Sequence, residues 1–304
     1  MGDINLKNKK VLVTGGNGFL ASHLIPALLE LGAQVVSFDM STDESRSNIQ
    51  SFAIDLNDQE SLSDFISEIQ PDIVYHLAAS LNRTRDFTVV NEVLKTNLNG
   101  TNNLLNALSA TAYQKFIFVS TSEVYGGDMV KAPFKENSDF VPASPYSLSK
   151  YCAEKAVQTF SEIYGKSFTV LRLFNFFGKG MGQQFFIPQL IETLKNNKEF
   201  NMTKGEQIRD FLYIKDVVQA MLMANSEKAN KKVFNVCSGQ GKSIKEIALD
   251  IKNEVHSESK INFGALEYRD NEVWNMVGDN TLLRTTLGWE PKFTFKEGLK
   301  EYLS

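Results

Sequence analysis

From Lys9 onward the chain alternates short apolar runs with longer amphipathic ones. KKVLVTGG, AQVVSFD and DIVYHLAA are short and rich in β-branched or aromatic residues, as strands are, whereas ASHLIPALLELG and SLSDFISEIQ space their apolar positions at helical intervals. Strand-like runs that are apolar throughout, separated by helices, predict a parallel sheet covered on both faces, wound as successive βαβ units. The alternation continues through a helix around TNLNGTNNLLNALSA, the strand KFIFVST, a helix beginning near Ser144 and running through YSLSKYCAEKAVQTFSEIYG, and the strand FTVLRLF. Residues 1–173 are therefore expected to form one domain. Residues 174–304 are less regular, with the glycine-rich FFGKGMGQQFFIPQL and the turn-rich NMTKGEQIRDFLYIKD between shorter helices. They are expected to form mainly a smaller domain over the strand ends. The apolar run near 233–238 is expected to return to the main sheet, which makes the boundary discontinuous.

Composition narrows the class of protein. With 304 residues, 42% hydrophobic and 22% charged, the chain can bury a substantial core and is neither fibrous nor disordered in character. Its formal charge of -4 argues against a nucleic-acid partner, which normally calls for a basic excess. No apolar run reaches the ~18 residues needed to span a bilayer, and MGDINLKNKK lacks a signal-like apolar core, so a cytoplasmic location is expected. Cys152 and Cys237 have neither disulfide-framework nor zinc spacing and are read as structural thiols. His23, His76 and His256 are scattered, and no metal-ligand set is visible. His76, at a strand end, could line a cleft, but is read first as a hydrogen-bonded structural residue.

The first strand leads straight into TGGNGFLA, with Gly15, Gly18 and Ala21 in a G-x-x-G-x-x-A pattern. Glycines here allow a tight turn and close backbone approach to a pyrophosphate; a small third residue lets helix and strand pack, and the helix N-terminus offers unpaired N–H groups to the phosphates. Asp39 ends the next strand, about 20 residues on, the spacing of a carboxylate that accepts hydrogen bonds from an adenosine ribose. Its charge would repel a 2′-phosphate, which favours NAD over NADP, with Arg46 the nearest cation that could argue otherwise. Asp55, with the Leu56 backbone, could bind the adenine edge, or Asp55 could cap the following helix.

The polar cluster STSEVYG, coming directly off an apolar strand, stands where ligands bind in open α/β sheets. Downstream, PYSLSKY places Tyr146 and Lys150 at i and i+4, on one helix face. A tyrosine with a reference pKa of about 10 needs a shift of roughly 3 units, about 4 kcal/mol, to act as a base near neutrality. A lysine ammonium one turn away, with the positive nicotinamide ring of NAD, could supply it. Alone, such a pair is a common helix-surface contact; beside a dinucleotide loop it reads as catalytic.

Together, TGGNGFLA, Asp39, HLAA, STSEVYG, Tyr146-x-x-x-Lys150, RLFNFFG and RDFLYIKD resemble the extended short-chain dehydrogenases/reductases that modify nucleotide sugars, and the likeness runs to the C-terminal DNTLLRTTLGWEPKFTFKEGL. One departure is Ala21, where many members carry a third glycine. The resemblance implies a Rossmann-like α/β fold with a C-terminal substrate domain. It also implies NAD bound by Gly15, Gly18, Phe19, Leu20, Asp39, Asp55, Leu56, Ala78, Tyr146 and Lys150, and a nucleotide-diphosphate sugar as substrate. In the implied chemistry Thr121 hydrogen-bonds the sugar 4-oxygen, Tyr146 removes the 4-hydroxyl proton, and Lys150 binds the nicotinamide ribose and lowers the tyrosine pKa. Ser122 and Asn175 are implied substrate contacts, and Arg209 and Arg269 are implied to reach the diphosphate, although either arginine could be a surface ion-pair partner.

The fate of the 4-keto sugar turns on Glu123. The resemblance implies that simple 4-epimerases usually lack an acid here, whereas 4,6-dehydratases and UDP-glucuronate decarboxylases carry Thr-Ser-Glu or Thr-Asp-Glu, with the glutamate serving the dehydratases as the base at C5. Ser122 departs from the dTDP-glucose type. The leading expectation is a 4,6-dehydratase or a related epimerase/dehydratase. The alternatives are a 4-epimerase, a UDP-glucuronate decarboxylase, a one-way 4-dehydrogenase, a 4-ketoreductase or a non-catalytic dinucleotide sensor, and Glu123 could instead serve only to bind loop N–H groups. Leu104, Leu105 and Leu108, with Ala153, Ala156, Val157 and Phe160, make two helices apolar on more than one face, so a homodimer through these helices is expected, unless those residues are buried within one chain.

Overall fold

The computed structural model describes residues 6–42, 48–126, 132–270 and 272–304. In chain order the first part comprises β1 (Lys10–Thr14), α1 (Phe19–Glu30), β2 (Gln34–Asp39), β3 (Gln50–Ala53), α2 (Gln59–Ile69), β4 (Ile73–His76), α3 (Val90–Leu94), α4 (Gly100–Leu108), β5 (Lys115–Thr121), α5 (Pro145–Tyr164) and β6 (Phe168–Leu173). Then come β7 (Asn175–Phe177), α6 (Phe186–Lys195), β8 (Phe200–Met202), β9 (Ile208–Tyr213), α7 (Ile214–Met223), β10 (Lys232–Val236), β11 (Gly241–Ser243), α8 (Ile244–Val255), β12 (Ile261–Phe263), β13 (Asn275–Met276), α9 (Thr281–Leu287) and α10 (Phe295–Leu303).

Among the described residues, seven parallel strands form one sheet in the order β10-β6-β5-β4-β1-β2-β3. The run of the chain reverses between β1 and β4, which opens a crevice at their carboxyl ends. All seven residues of β5 are buried, because helices cover both of its faces. On one face α1 and α7 cover Val11, Val13, Tyr75 and Ile117, in an apolar cluster that continues into α6 and α8. On the other, α2, α4 and α5 pack against Leu12, Val74, Phe116 and Phe118. The last contact uses Leu104, Leu105, Leu108, Ala153, Val157 and Phe160, all buried within the single chain, whereas Ala156 is half-buried.

β10 pairs with β6 from Lys232↔Thr169 to Val236↔Leu173, so the apolar run near 233–238 does join the sheet. A smaller sheet is organised around β9, which pairs with β7, β11 and β13. It brings Arg209, Glu272 and Met276 over the crevice, with Arg269 beside them.

Local signals set the ends of the helices that matter. Ser144 caps α5 by accepting from Ser147 N while Ser147 Oγ accepts from Ser144 N, Pro145 occupies the first turn, and Gly165 ends the helix at φ 66°. α2 is capped by Asp58, which accepts from Ser61 N. Asp55 does not serve as that cap: its Oδ1 accepts from Asn57 N at 2.9 Å, closing a turn. Between α3 and α4 the helix widens into a π-helical turn at Lys95–Asn99, an insertion often found at functional sites.

Candidate active site

A cavity of about 1050 Å³ runs along the crevice from the β1–α1 turn to Arg269 and Glu272. Every residue singled out as a binding or catalytic candidate lines it, from Gly15, Gly18, Phe19, Leu20, Asp39, Asp55, Leu56 and Ala78 at one end to Asn175, Arg209 and Arg269 at the other.

At the first end Gly15 has φ +70°, and a Cβ there would lie 2.8 Å from Ala78 N and 2.9 Å from its Cα. Only glycine permits this backbone approach. Gly18 is the N-cap of α1 and carries no side chain to satisfy the first N–H groups, which leaves them facing the cavity. Asp39 lies across the same turn, accepting from Asn17 N at 3.0 Å and Met40 N at 2.7 Å. These residues fit a dinucleotide's pyrophosphate and adenosine ribose. Arg46, the cation that bears on cofactor choice, lies outside the described residues.

At the centre, Thr121 ends β5 and its Oγ1 accepts from Glu123 N at 3.2 Å. Tyr146 opens α5 and is 5% exposed. Burial pushes its phenol up to about 12, opposed by the Arg83 charge and by hydrogen bonds from Arg83 and Thr121, while the charge of Glu123 adds to the rise. Lys150, one turn on, is fully buried with Nζ 4.2 Å from the centre of the Phe118 ring. Burial brings its ammonium down to about 7, with Glu154 pulling the other way. Arg83 thus adds a cation beside the phenol that the helix spacing of Tyr146 and Lys150 does not reveal.

Arg83 was not among the sequence-level candidates. It stands in the loop after β4, with Nε 3.4 Å from Glu123 Oε1 and its guanidinium carbon 5.4 Å from the Tyr146 ring centre and 5.7 Å from that of Phe185. The available signal was an arginine shortly after a strand that ends at the reversal of the sheet. Glu272 was also missed. It pairs with Arg209 at 2.7 Å, and Arg85 Nη1 donates to the Asp270 backbone carbonyl, so this end of the cavity combines arginines with a paired carboxylate and a carbonyl acceptor.

Behind the site a buried polar chain fixes the strand ends. Thr14 Oγ1 accepts from Leu77 N and Ala78 N, which leaves its proton for His76 Nδ1 at 2.7 Å. His76 Nε2–H then donates to Thr101 Oγ1, which donates to Asn97 O. Burial, reinforced by Lys150, brings His76 down to about 3, so the ring is neutral. This is the structural role read for His76. Asn97, placed by the π-helical turn, donates to Ser80 O and Ser149 Oγ and accepts from Ser80 N. Ser149 Oγ donates to the Tyr146 carbonyl, which ties the network to the start of α5.

Together with the sheet order, the glycine turn and the strand-end Thr121 beside Tyr146 and Lys150 place the chain in the class of dinucleotide-dependent enzymes of short-chain dehydrogenase/reductase type. Residues 12–302 match the family model described as GDP-mannose 4,6 dehydratase. The chain belongs to that family, within the nucleotide-sugar epimerases/dehydratases of the extended short-chain group. It is 31% identical to the dTDP-D-glucose 4,6-dehydratase of Bos taurus over 96% of this chain and 87% of that protein. Among solved structures it superposes on the UDP-glucose 4-epimerase of Thermotoga maritima, determined with UDP-glucose, with a TM-score of 0.91, 30% identity and 97% of both chains covered. It also superposes on the UDP-glucuronic acid 4-epimerase of Bacillus cereus, determined with UDP-glucuronic acid and NAD, with a TM-score of 0.86, 27% identity, and 96% of this chain and 97% of that chain covered. Among the described residues no helix is long and apolar enough to cross a membrane.

Proposed function

We propose that the chain is an NAD-dependent nucleotide-sugar 4,6-dehydratase. Bound NAD supplies a hydride acceptor that later returns the hydride. Gly15, Gly18 and the N-terminus of α1 would hold its pyrophosphate and Asp39 its adenosine ribose, with Lys150 near the nicotinamide end. Thr121 orients the sugar 4-oxygen and Tyr146 takes the 4-hydroxyl proton as C4 becomes a ketone. That ketone acidifies C5–H. Glu123 takes the C5 proton and passes it to the departing 6-hydroxyl, so that water leaves. With the hydride returned at C6 and C5 regaining a proton, which balances the one Tyr146 took and exchanges with solvent, the products are a 4-keto-6-deoxy sugar nucleotide and water, with no net oxidation. Asn175, Arg209 and Arg269 are assigned to the substrate side, residues 174–304 serving mainly as its domain.

The observation that carries this reading is the position of the Glu123 carboxylate, two residues beyond Thr121 and lining the same cavity as Tyr146. A second reading, C4 epimerisation, is favoured by the engagement of that carboxylate with Arg83 at 3.4 Å, since a C4 epimerase has no need of a free base at C5. One experiment separates them. The protein is incubated with NAD and a panel of UDP-, GDP-, dTDP- and CDP-sugars, and product mass and C5 deuterium uptake are measured. Dehydration predicts loss of water and deuterium at C5, with Glu123→Gln blocking the deuterium while C4 oxidation persists. Unchanged mass with inversion at C4 supports the epimerase, and a Tyr146→Phe variant as active as wild type would sink both.

We place the protein in the cytoplasm as a homodimer. Free thiols at Cys152 and Cys237 suit a reducing compartment, and Ile163 and Tyr164, 70% and 52% exposed at the end of α5, offer apolar surface to a second copy.

A further inference from the structure

Arg83 is the one cation in the described cavity that touches both acid–base candidates. Its Nε lies 3.4 Å from Glu123 Oε1, and its guanidinium carbon lies over the Tyr146 ring at 5.4 Å, with Phe185 closing the other side at 5.7 Å. We infer that Arg83 is a positioning residue whose guanidinium is shared between Tyr146 and Glu123, so that the ease with which Tyr146 takes the C4-hydroxyl proton depends on the charge of Glu123. The inference rests on the C4-oxidation reading of Tyr146 and is independent of which step comes after it.

The surrounding charges make Arg83 the dominant partner. Lys150, on Tyr146's own helix, has its Nζ over the Phe118 ring, 4.2 Å from the centre. His76 is neutral. Arg209 faces Glu123 from β9, but its Nη2 is held by Glu272, and Arg85 faces Arg209. Arg83 lowers Tyr146 through both charge and hydrogen bonding, while Glu123 raises it. A proton arriving on Glu123 would remove the competing charge and leave the guanidinium to Tyr146 alone. A proton taken from the substrate would then make Tyr146 easier to deprotonate at the next exchange.

The test is the pH profile of C4 oxidation, read as NAD reduction in a single turnover at saturating NAD and sugar nucleotide. Arg83→Met should move the acid limb up by roughly one to two pH units, and Arg83→Lys should recover part of that displacement. Glu123→Gln should move it down, and Arg83→Met should cause a larger displacement in the Glu123→Gln background than in wild type, because the guanidinium is then no longer shared. A uniform loss of kcat at every pH, with an unmoved limb and no rescue by lysine, would assign Arg83 a merely structural role and overturn the inference. Equal displacements in the two backgrounds would overturn the sharing. If the wild type reduces NAD with none of the sugar nucleotides, the C4-oxidation reading fails first, and the inference with it.

Discussion

Glu154→Gln should unfold the protein several degrees early, and the size follows from the groups that surround the carboxylate. Its side chain is 0% exposed and its partner Arg172 is 2% exposed. Arg172 Nε donates to Oε1 at 3.0 Å and Nη2 to Oε2 at 2.7 Å, Ser120 Oγ also donates to Oε1, and Arg172 Nη1 is spent on Tyr125 Oη and the Glu136 carbonyl, each at 2.9 Å. Burial alone would lower the Arg172 guanidinium, but the bonds and charge of Glu154 and Tyr125 outweigh it, so the group is held above its ordinary value. Glutamine keeps the shape and removes the charge, stranding a guanidinium away from water at a cost of about 3–5 kcal/mol. An unfolding entropy of about 2.1 cal/mol/K per residue over this chain gives about 0.6 kcal/mol per kelvin, so Tm should fall by roughly 5–8 °C. Thermal and urea unfolding measure it, with the joint Glu154→Met, Arg172→Met variant as control, because removing both charges should cost far less than stranding one. A Tm within about 2 °C of wild type, or a joint variant as damaged as the single one, would refute the reasoning.

Gly15→Ala should weaken NAD binding at least about tenfold by calorimetry, since each ~1.4 kcal/mol is tenfold and the added Cβ meets the Ala78 backbone at a left-handed φ; wild-type affinity would contradict the assigned cradle. His76 should stay neutral through pH 5 by NMR, because its folded value of about 3 lies below the unfolded value of about 6.5. The unfolded chain then binds more protons between those values, so the His76 contribution is complete above about pH 6.5 and is lost as pH falls toward about 3, by up to ~1.4 kcal/mol per unit. Asp210, raised to about 6 by burial, works in the opposite sense, its contribution being lost as pH rises through that value. A His76 resonance titrating near pH 6.5 would count against the neutral, buried ring.

The parts of the site legible in the sequence are those that depend on local backbone. Gly15 and Gly18 could be read because a tight turn between strand and helix restricts residue type, and Asp39 because it falls at a fixed distance along the next strand. Tyr146 and Lys150 could be paired because helix pitch puts i and i+4 on one face. The same rule does not fix where a long side chain ends: Lys150 places its Nζ over the Phe118 ring. Arg83 was missed because its loop is distant in sequence from both Glu123 and Tyr146. The helical leucines were ambiguous for a related reason, since apolar periodicity shows that a face is buried and not what buries it.

By itself, then, the sequence determined the alternation of strands and helices, the dinucleotide turn, the start of α5 and the candidates for the reactive side chains, all of which depend on contacts within a few residues or on helix and strand periodicity. Only the tertiary structure decided which charges meet: Arg83 on Tyr146 and Glu123, Glu272 on Arg209, and Glu154 on Arg172 beneath Lys150. Those pairings set the electrostatics of the cavity, and they depend on long-range packing that brings β4, β5, α5 and β9 to one crevice.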